Sequence, residues 1–279
     1  MEFEDFTKKN ANLSKASIAT YNSQYKKMKL NLPKDQDIAD YSQKELLKYV
    51  KTIDKPNSQQ SILNIAIQVL RMREKPIDKL LEEREKNKLK IQELVKIKNI
   101  YLGETLPKYE ELVNHTQSLY DDGKWTDFII NYLLLNFQVR NKDLLFDIVL
   151  KKKDMTDENK NYIWYNKAKS SVHYVRNNYK TASTYGKKIN IITDISFVVA
   201  IKRVIAHQKF KETNGVFIPN ESQLGYYICR ASYNKICEGN FVKIIINHFR
   251  NDIDKLKEIS ENRGTSVSTL LSNYDIEFT

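Results

Sequence analysis

The sequence predicts a mainly α-helical protein of the α+β class, with one small antiparallel sheet in its second half. Residues 1–100 keep apolar side chains at helical spacing, and residues 145–192 change to short β-branched or aromatic runs between polar turns. Helical spacing then resumes. A length of 279 residues suits two domains, each large enough to bury a core. We therefore expect a helical N-terminal domain, residues 1–100, and a mainly helical domain, residues 101–279, that holds the sheet.

Capping residues and apolar spacing mark the helices of the first domain. A capping signal at residues 12–14 precedes the first helix. Ser42 begins the second helix as its N-cap, and Glu45, three residues later, completes a capping box. A third helix begins near Ser58, and a fourth, highly charged helix covers about residues 77–97.

The second domain begins after a predicted linker at residues 98–106, next to Pro107. Two helices follow, at 109–121 and 125–137, and the apolar run of the second one must be buried. The strands expected in the sheet are residues 145–150, 161–165, 171–179 and 188–192. The helices expected after the sheet are residues 196–209, 222–239, 243–263 and 266–278.

The composition is basic. Forty-six Lys and Arg residues face 35 Asp and Glu residues, which gives a formal net charge of +11 and a pI near 9.3. A basic surface attracts polyanions and gains affinity by releasing counterions from phosphates, so nucleic acid is the partner that the charge favours. A soluble basic protein from an AT-rich genome, where codon usage inflates Lys and Asn, has the same composition. Composition alone leaves both interpretations open.

Several function classes lack their sequence signals. The four histidines are scattered without an HxxxH or HExxH arrangement, and Cys229 and Cys237 form no CxxC pair, so we expect no metal site. No Walker loop or dinucleotide-binding glycine pattern is present, and we expect no cofactor. No signal peptide or long apolar run is found, so we expect an intracellular, reducing and aqueous environment without a membrane partner.

Tyr274 is the residue from which a chemical hypothesis starts. A glycine turn at residues 263–266 and a short apolar segment precede it. A tyrosine hydroxyl can act as a nucleophile on a phosphodiester. Because the chain has 17 tyrosines, one alone means little. Its value comes from Arg140, Lys180 and Arg250, which appear upstream in that order, each in a suitable local setting.

Arg140 directly follows the apolar helix at 125–137. A charge at the boundary of the core is costly unless it is paired. One solution is an ion pair with Asp143 or Asp147. The other is a phosphate, whose oxygens match the planar fork of the guanidinium. Both interpretations remain open at the level of sequence.

Lys180 lies in a polar turn that Gly186 closes, between two predicted strands. A lysine at such a hairpin can reach over a groove and serve as a general acid that protonates a leaving alkoxide. Lys187 and Lys188 are interpreted as contacts with a DNA backbone or as solvated charges. Arg176, in the strand that leads into the turn, is grouped with them as a DNA contact.

Arg250 is predicted to lie on a helix with two polar neighbours. Asn247, three residues earlier, shares its helical face, whereas His248, two residues earlier, points away. Asn247 is therefore the better partner. His248 is either a general base or a structural histidine beside Phe249.

These residues together resemble the tyrosine recombinase (integrase) family, which shares its catalytic fold with type IB topoisomerases. Members of that family carry an arginine followed three residues later by Glu or Asp, as Arg140 is followed by Asp143. A hairpin lysine follows, often as Lys-Thr, which is similar to residues 180–181. A His-x-x-Arg helix comes next, and then a Gly-His turn with a tyrosine nine residues after its histidine, the spacing of Thr265 and Tyr274.

The resemblance extends over most of the chain, with departures. Residues 178–186 are similar to integrase-like proteins of giant viruses and their mobile elements, and residues 13–21 resemble the opening of the family's core-binding domain. Asn247 stands where the family has the histidine of His-x-x-Arg, and Thr265 replaces the later histidine. The interval from Arg250 to Thr265 is shorter than usual. Asn or Thr can still donate a hydrogen bond to a phosphate oxygen.

The resemblance implies a site-specific DNA recombinase or integrase that works without metal or ATP. Tyr274 attacks the scissile phosphodiester and forms a 3′-phosphotyrosyl link, while Arg140 and Arg250 hold the non-bridging oxygens. Lys180 protonates the leaving 5′-oxygen. Asn247 and Thr265 add hydrogen bonds to the phosphate.

The partners that the resemblance implies are double-stranded DNA and further copies of this chain, as a homotetramer on DNA and a monomer in solution. The protein would work at DNA, in the cytoplasm, the nucleus or a viral factory. Two alternatives remain. A type IB topoisomerase would use the same residues on one duplex, and a catalytically weak DNA-binding descendant would need only the basic surface.

Overall fold

The computed structural model describes residues 15–32, 37–219 and 221–276 of the chain. The chain divides into two compact units, Met1–Lys98 and Asn99–Thr279. The predicted α+β class is confirmed, because both units are mainly helical and the second one holds a small sheet. Within the described ranges, no helix is both long and apolar enough to cross a membrane.

The first unit is built from helices. They are α1 (Lys15–Asn31), α2 (Gln43–Lys51), α3 (Pro56–Met72) and α4 (Asp78–Thr105), the last of which continues into the second unit. The predicted capping box at the start of α2 is confirmed: the Glu45 N–H donates to Ser42 Oγ at 3.3 Å, and the Ser42 N–H donates to Glu45 Oε2 at 2.8 Å. The capping signal predicted at residues 12–14 lies outside the described residues.

The linker predicted at residues 98–106 is wrong, because α4 runs through it to Thr105. Glycine inside a helix costs only about 1 kcal/mol relative to alanine, which tertiary packing readily offsets. Gly103 lies inside this helix, and a Cβ added there would be in ordinary van der Waals contact with Ile276, at 3.9 Å. Leu102 is buried as well, so this stretch contributes to a core.

The second unit begins with α5 (Tyr109–Asp121) and α6 (Trp125–Phe137), both at the predicted bounds. After the sheet come α8 (Ile195–Ala206), α9 (Gln208–Glu212), α10 (Leu224–Ala231), α11 (Glu238–His248), α12 (Ile253–Arg263) and α13 (Val267–Tyr274); the short α7 (Ala182–Tyr185) lies within the connection between β3 and β4.

Four strands form the sheet in the order β1 (Phe146–Val149), β2 (Asn161–Asn166), β3 (Ser171–Arg176) and β4 (Lys188–Ile192). The pairs β2–β3 and β3–β4 are antiparallel as predicted, but β1 and β2 are parallel, so the sheet is mixed. A parallel pair needs a connection long enough to cross over, and residues 150–160 provide it.

Two segments predicted as single helices are each divided. Residues 222–239 cover α10 and the start of α11, and two left-handed residues, Asn234 and Lys235, lie between these helices. Residues 243–263 are divided between α11 and α12, because Asp252 caps a new helix by accepting a hydrogen bond from the Lys255 N–H at 2.9 Å. Arg250 therefore lies in a turn, and the helical-face argument that joined it to Asn247 does not hold.

The apolar core of the second unit determines the position of Arg140, which follows α6. Buried side chains of α6, of the sheet and of α11 belong to one apolar cluster. Gln138 ends α6 in the left-handed conformation, with its N–H donating to the Leu134 carbonyl at 3.1 Å. The chain turns there, and Arg140 becomes the N-cap of a short 3-10 helix at Asn141–Leu144.

Candidate active site around Tyr274

The C-terminal turn of α12 gathers three cationic side chains. The backbone carbonyls of residues 261–263 accept hydrogen bonds from Lys188, Arg176 and Arg140, in that order. The last carbonyls of a helix have no partner inside the helix and carry the negative end of its dipole. This helix end therefore holds cations that come from three distant parts of the sequence.

The turn after α12 depends on Gly264. Its φ of +59° is left-handed, and an added Cβ would lie 2.6 Å from the Thr181 hydroxyl oxygen. That hydroxyl donates to the Gly264 carbonyl at 2.9 Å, which ties the connection between β3 and β4 to the turn. Lys180 precedes Thr181 with an exposed side chain. Thr265 is half-buried in the same turn, and its N–H donates to the Ser260 carbonyl at 3.0 Å.

Arg263 is the residue that contacts the predicted nucleophile. Its side chain is buried, its Nη2 donates to the Tyr274 hydroxyl at 2.9 Å, and its guanidinium lies 4.9 Å from the centre of the Tyr274 ring. The same Nη2 is 2.9 Å from Glu238 Oε1, and Nη1 donates to the Gln138 carbonyl at 2.6 Å. These contacts fix the phenol over the end of α12.

Sequence reasoning missed the role of Arg263, although it named the turn that the residue begins. The available signal was an arginine directly before a helix-ending glycine, followed by a short helix that ends in a tyrosine. Such a turn folds the second helix back, so a side chain at the end of the first helix can meet one at the end of the second.

Arg140 is half-buried, and its guanidinium donates to the Arg263 carbonyl. Burial, and then the charge of Arg263, lower the pKa of Arg140. Of the two carboxylates considered as its ion-pair partners, Asp143 accepts a hydrogen bond from the Arg140 N–H but forms its ion pair with Arg176, at 3.7 Å. Asp147 pairs with Lys160 at 3.0 Å. The contacts thus favour an anion other than these carboxylates for Arg140.

Asp143 is a buried structural partner within this group. Burial raises its pKa, whereas the hydrogen bond from the Arg140 N–H at 3.1 Å and the charge of Arg176 oppose that increase. Its carbonyl also accepts a hydrogen bond from the Tyr174 hydroxyl at 2.7 Å. Asp143 therefore holds the start of the 3-10 helix and, with it, the position of Arg140.

Arg176 is completely buried, so its predicted role as a DNA contact is wrong. Its Nη1 donates to the Asn262 carbonyl at 2.8 Å, and its Nη2 donates to Asn190 Oδ1 at 3.0 Å. Successive side chains of a strand point to opposite faces of the sheet, and Arg176 lies on the face that contacts α12. Its charge acts on its neighbours from inside the protein.

Lys188 is the register partner of Arg176 across β3 and β4, so the two side chains share one face of the sheet. Its Nζ lies 5.3 Å from the ring centre of Tyr179 and 5.6 Å from that of Tyr185. Burial, and then the charges of Arg176 and Arg140, lower the pKa of Lys188 to about 8. The neighbouring Lys187 is exposed.

The residues around the phenol carry an excess of positive charge. We call Arg140, Asp143, Arg176, Lys188, Glu238, Arg263 and Tyr274 the Tyr274 cluster. It contains four cations and two carboxylates, and a further carboxylate, Glu261, lies exposed at its rim. Cations that are partly removed from water and not neutralised favour a bound anion, and a phosphate is the anion that guanidinium groups match best.

Arg250 meets the segment that follows Tyr274. Its Nη2 lies 3.7 Å from Oδ2 of Asp275, a buried residue. The Asp275 carbonyl accepts a hydrogen bond from Asn99 Nδ2 at 3.4 Å, and Lys243 Nζ donates to Asn99 Oδ1 at 2.7 Å. These contacts hold the chain directly after the predicted nucleophile.

His248 and Asn247 line a shallow surface cavity of about 280 Å³. The His248 ring stacks on Tyr109 at 4.2 Å, and its Nδ1 lies 3.6 Å from Glu110 Oε1. Of the two interpretations of His248, these contacts favour the structural one. They place the side chain among residues of α5 rather than in the Tyr274 cluster.

Comparisons with known protein families, with curated proteins and with solved structures found no match to this chain. Within the part of the chain that the structure describes, no group of three or more His, Cys, Asp and Glu side chains is arranged to hold a metal ion. We therefore infer the function from the chemistry of the Tyr274 cluster.

Proposed function

We propose that this chain cleaves and rejoins DNA strands in the manner of a tyrosine recombinase, with Tyr274 as the nucleophile. One observation carries the proposal. The Tyr274 hydroxyl receives a hydrogen bond from the buried Arg263 at 2.9 Å, inside a cluster whose cations outnumber its carboxylates. A fixed phenol beside unneutralised cations suits attack on a phosphodiester.

In the proposed reaction, the Tyr274 oxygen attacks the scissile phosphorus, and its proton passes to water. The bond from phosphorus to the 5′-oxygen breaks, which leaves a 3′-phosphotyrosyl ester and a strand that ends in a 5′-hydroxyl. Arg140 stabilises the charge that grows on the non-bridging oxygens. A lysine protonates the leaving oxygen, and Lys180 is the residue predicted for this role from the sequence. The ester keeps the bond energy, so a second 5′-hydroxyl can reverse the attack.

Arg263 is a positioning residue in this proposal. Because Arg263 is buried and its two Nη atoms also contact Glu238 and the Gln138 carbonyl, Arg263 orients the phenol rather than the phosphate. Thr265, half-buried in the adjoining turn, keeps its predicted role as a hydrogen-bond donor to a phosphate oxygen.

Arg250 has a different role in the proposal from the one that the sequence predicted. Its ion pair with the buried Asp275 neutralises both groups and holds the segment after Tyr274. We therefore assign it to the anchoring of this segment, and we leave Arg140 as the principal phosphate ligand. The role of Asn247 as a hydrogen-bond donor remains a prediction from the sequence.

The proposed substrate is double-stranded DNA, and strand exchange would require several copies of the chain on it. The formal charge of +11 supports binding to the backbone. A type IB topoisomerase reaction would use the same covalent step on one duplex. Strand exchange between two DNA molecules distinguishes recombination from the relaxation of a supercoiled plasmid.

The test is a search for a covalent complex that does not presuppose a target sequence. A library of nicked duplexes with randomised flanks is incubated with the protein, and complexes that survive denaturation in detergent are recovered and sequenced. After cleavage, the short piece of strand between the scissile phosphate and the nick diffuses away. It cannot be rejoined, so the adduct accumulates. We expect an adduct with wild-type protein and none with Tyr274→Phe.

The matched control is Tyr226→Phe, which removes the hydroxyl of an exposed tyrosine outside the cluster. It should form the adduct as the wild type does. If the wild type forms no adduct, or if Tyr274→Phe forms one, the proposed function is wrong.

A further inference from the structure

The connection between β3 and β4 offers two lysines for protonating the leaving oxygen, and their surroundings differ. Lys180 has an exposed side chain in the turn after β3. Lys188 is half-buried at the first position of β4 and lies on the face of the sheet that carries Arg176. A proton donor must be held at a defined position beside the reacting group, which favours the residue with fixed contacts.

Several contacts restrict the ammonium group of Lys188. It donates to the Glu261 carbonyl in the last turn of α12, and the rings of Tyr179 and Tyr185 lie 5.3 and 5.6 Å away. Arg140 binds the carbonyl two residues further along the same turn. A phosphate bound by Arg140 would therefore have the Lys188 ammonium group nearby.

The charges around Lys188 favour release of its proton. Burial, and then the charges of Arg176 and Arg140, lower its pKa to about 8, while Asp143 and Glu261 act in the opposite direction. A group with a pKa near the working pH is largely protonated and still releases its proton readily. Arg140 and Arg176 cannot take this role, because arginine keeps its proton in proteins.

We infer that Lys188, rather than Lys180, is the general acid that protonates the leaving 5′-oxygen at the Tyr274 cluster. This inference rests on the proposed function. As the bond between phosphorus and the 5′-oxygen breaks, a proton moves from Lys188 Nζ to that oxygen and completes the 5′-hydroxyl. Lys188 becomes neutral and regains a proton from water.

The test uses a DNA target recovered in the adduct search, prepared with either oxygen or sulfur at the bridging 5′-position of the scissile phosphate. A thiol ionises near pH 8.5, so a thiolate leaves without being protonated. Single-turnover rates of adduct formation are measured for wild type, Lys188→Ala, Lys188→Arg, Lys180→Ala and Arg140→Ala on both substrates. Lys188→Arg keeps the charge and removes the ability to donate, so it tests the role even where Lys188→Ala fails to fold.

On the oxygen substrate we expect both Lys188 variants to be slower by about 10²–10⁴-fold, and on the sulfur substrate to return to about the wild-type rate. Any loss of rate in Lys180→Ala should be the same on both substrates, because a residue that does not protonate the leaving oxygen is not rescued by sulfur. Arg140→Ala should stay slow on both, because it acts on the non-bridging oxygens.

The Lys188 assignment is overturned if its variants are equally slow on both substrates, or if the sulfur substrate rescues Lys180→Ala instead. In either result the wild type still forms the adduct, and the proposed function stands. Failure of the wild type on both substrates would overturn the proposed function, and the assignment with it.

Discussion

In the unit Met1–Lys98, the described residues bury a single side chain of the polar or charged class, Asn87, which donates to the Pro56 carbonyl at 2.9 Å and to Gln60 Oε1 at 2.8 Å. In the unit Asn99–Thr279, four charged side chains are buried: Asp143, Arg176, Arg263 and Asp275. Each burial of charge costs free energy unless partners compensate for it.

All four buried charges belong to the Tyr274 cluster or to the residue that follows Tyr274. Arg263 contacts the phenol, Arg176 and Asp143 support Arg140, and Asp275 is adjacent to Tyr274 in the chain. A fold that needed only stability could use apolar side chains at such positions. The contrast between the two units is that the second encloses charged side chains, as the proposed reaction requires, while the first is held together mainly by apolar packing.

The largest predicted effect is a difference in the rate of adduct formation between variants of two arginines in the second unit. Arg140→Ala should slow adduct formation by about 10²–10³-fold, because it removes the guanidinium available to the phosphate. Arg250→Ala should slow it less than Arg140→Ala does, because Arg250 is paired with Asp275 and acts on the segment after Tyr274 rather than on the phosphate. Single-turnover cleavage of the selected DNA measures both. Equal losses for the two variants would contradict the division of roles.

The next effect concerns the apolar core of the first unit. Leu63 is completely buried in α3, and Leu63→Ala should lower the free energy of unfolding by about 2–5 kcal/mol. Amide hydrogen exchange should show faster exchange in Met1–Lys98 and unchanged protection in the sheet of the second unit. Equal loss of protection in both units would show that their cores are not independent.

The smallest effect is the dependence of stability on pH at Lys188. Folding lowers its pKa from 10.5 to about 8, so the folded state disfavours the protonated lysine. Below about pH 8 the lysine is protonated in both states and this cost is fully present; it disappears as the pH rises from about 8 to 10.5.

Lys188→Met removes the cost and should therefore be more stable than the wild type at pH 7, with the difference vanishing by about pH 10.5. Denaturant unfolding at a series of pH values measures this, and Lys187→Met, at an exposed lysine, is the control. A difference that stays constant with pH would mean that burial of Lys188 does not lower its pKa.

The sequence by itself determined those elements whose signals lie within a few neighbouring residues. The capping box of Ser42 and Glu45 needs only one helical turn, and the bounds of α5 and α6 follow from their apolar spacing. The fold class follows from the same local periodicities. The turn of Gly264 was also visible, because a glycine between two helical segments is a local signal.

Only the tertiary structure decided which side chains surround Tyr274. Arg263 meets Gln138, 125 residues away, and Lys188 meets the end of α12 across 73 residues. The burial of Arg176 and the continuation of α4 through the predicted linker likewise depend on what packs against them. Contacts between residues far apart in the chain are selected by the packing of whole elements, and no local pattern of residues specifies them.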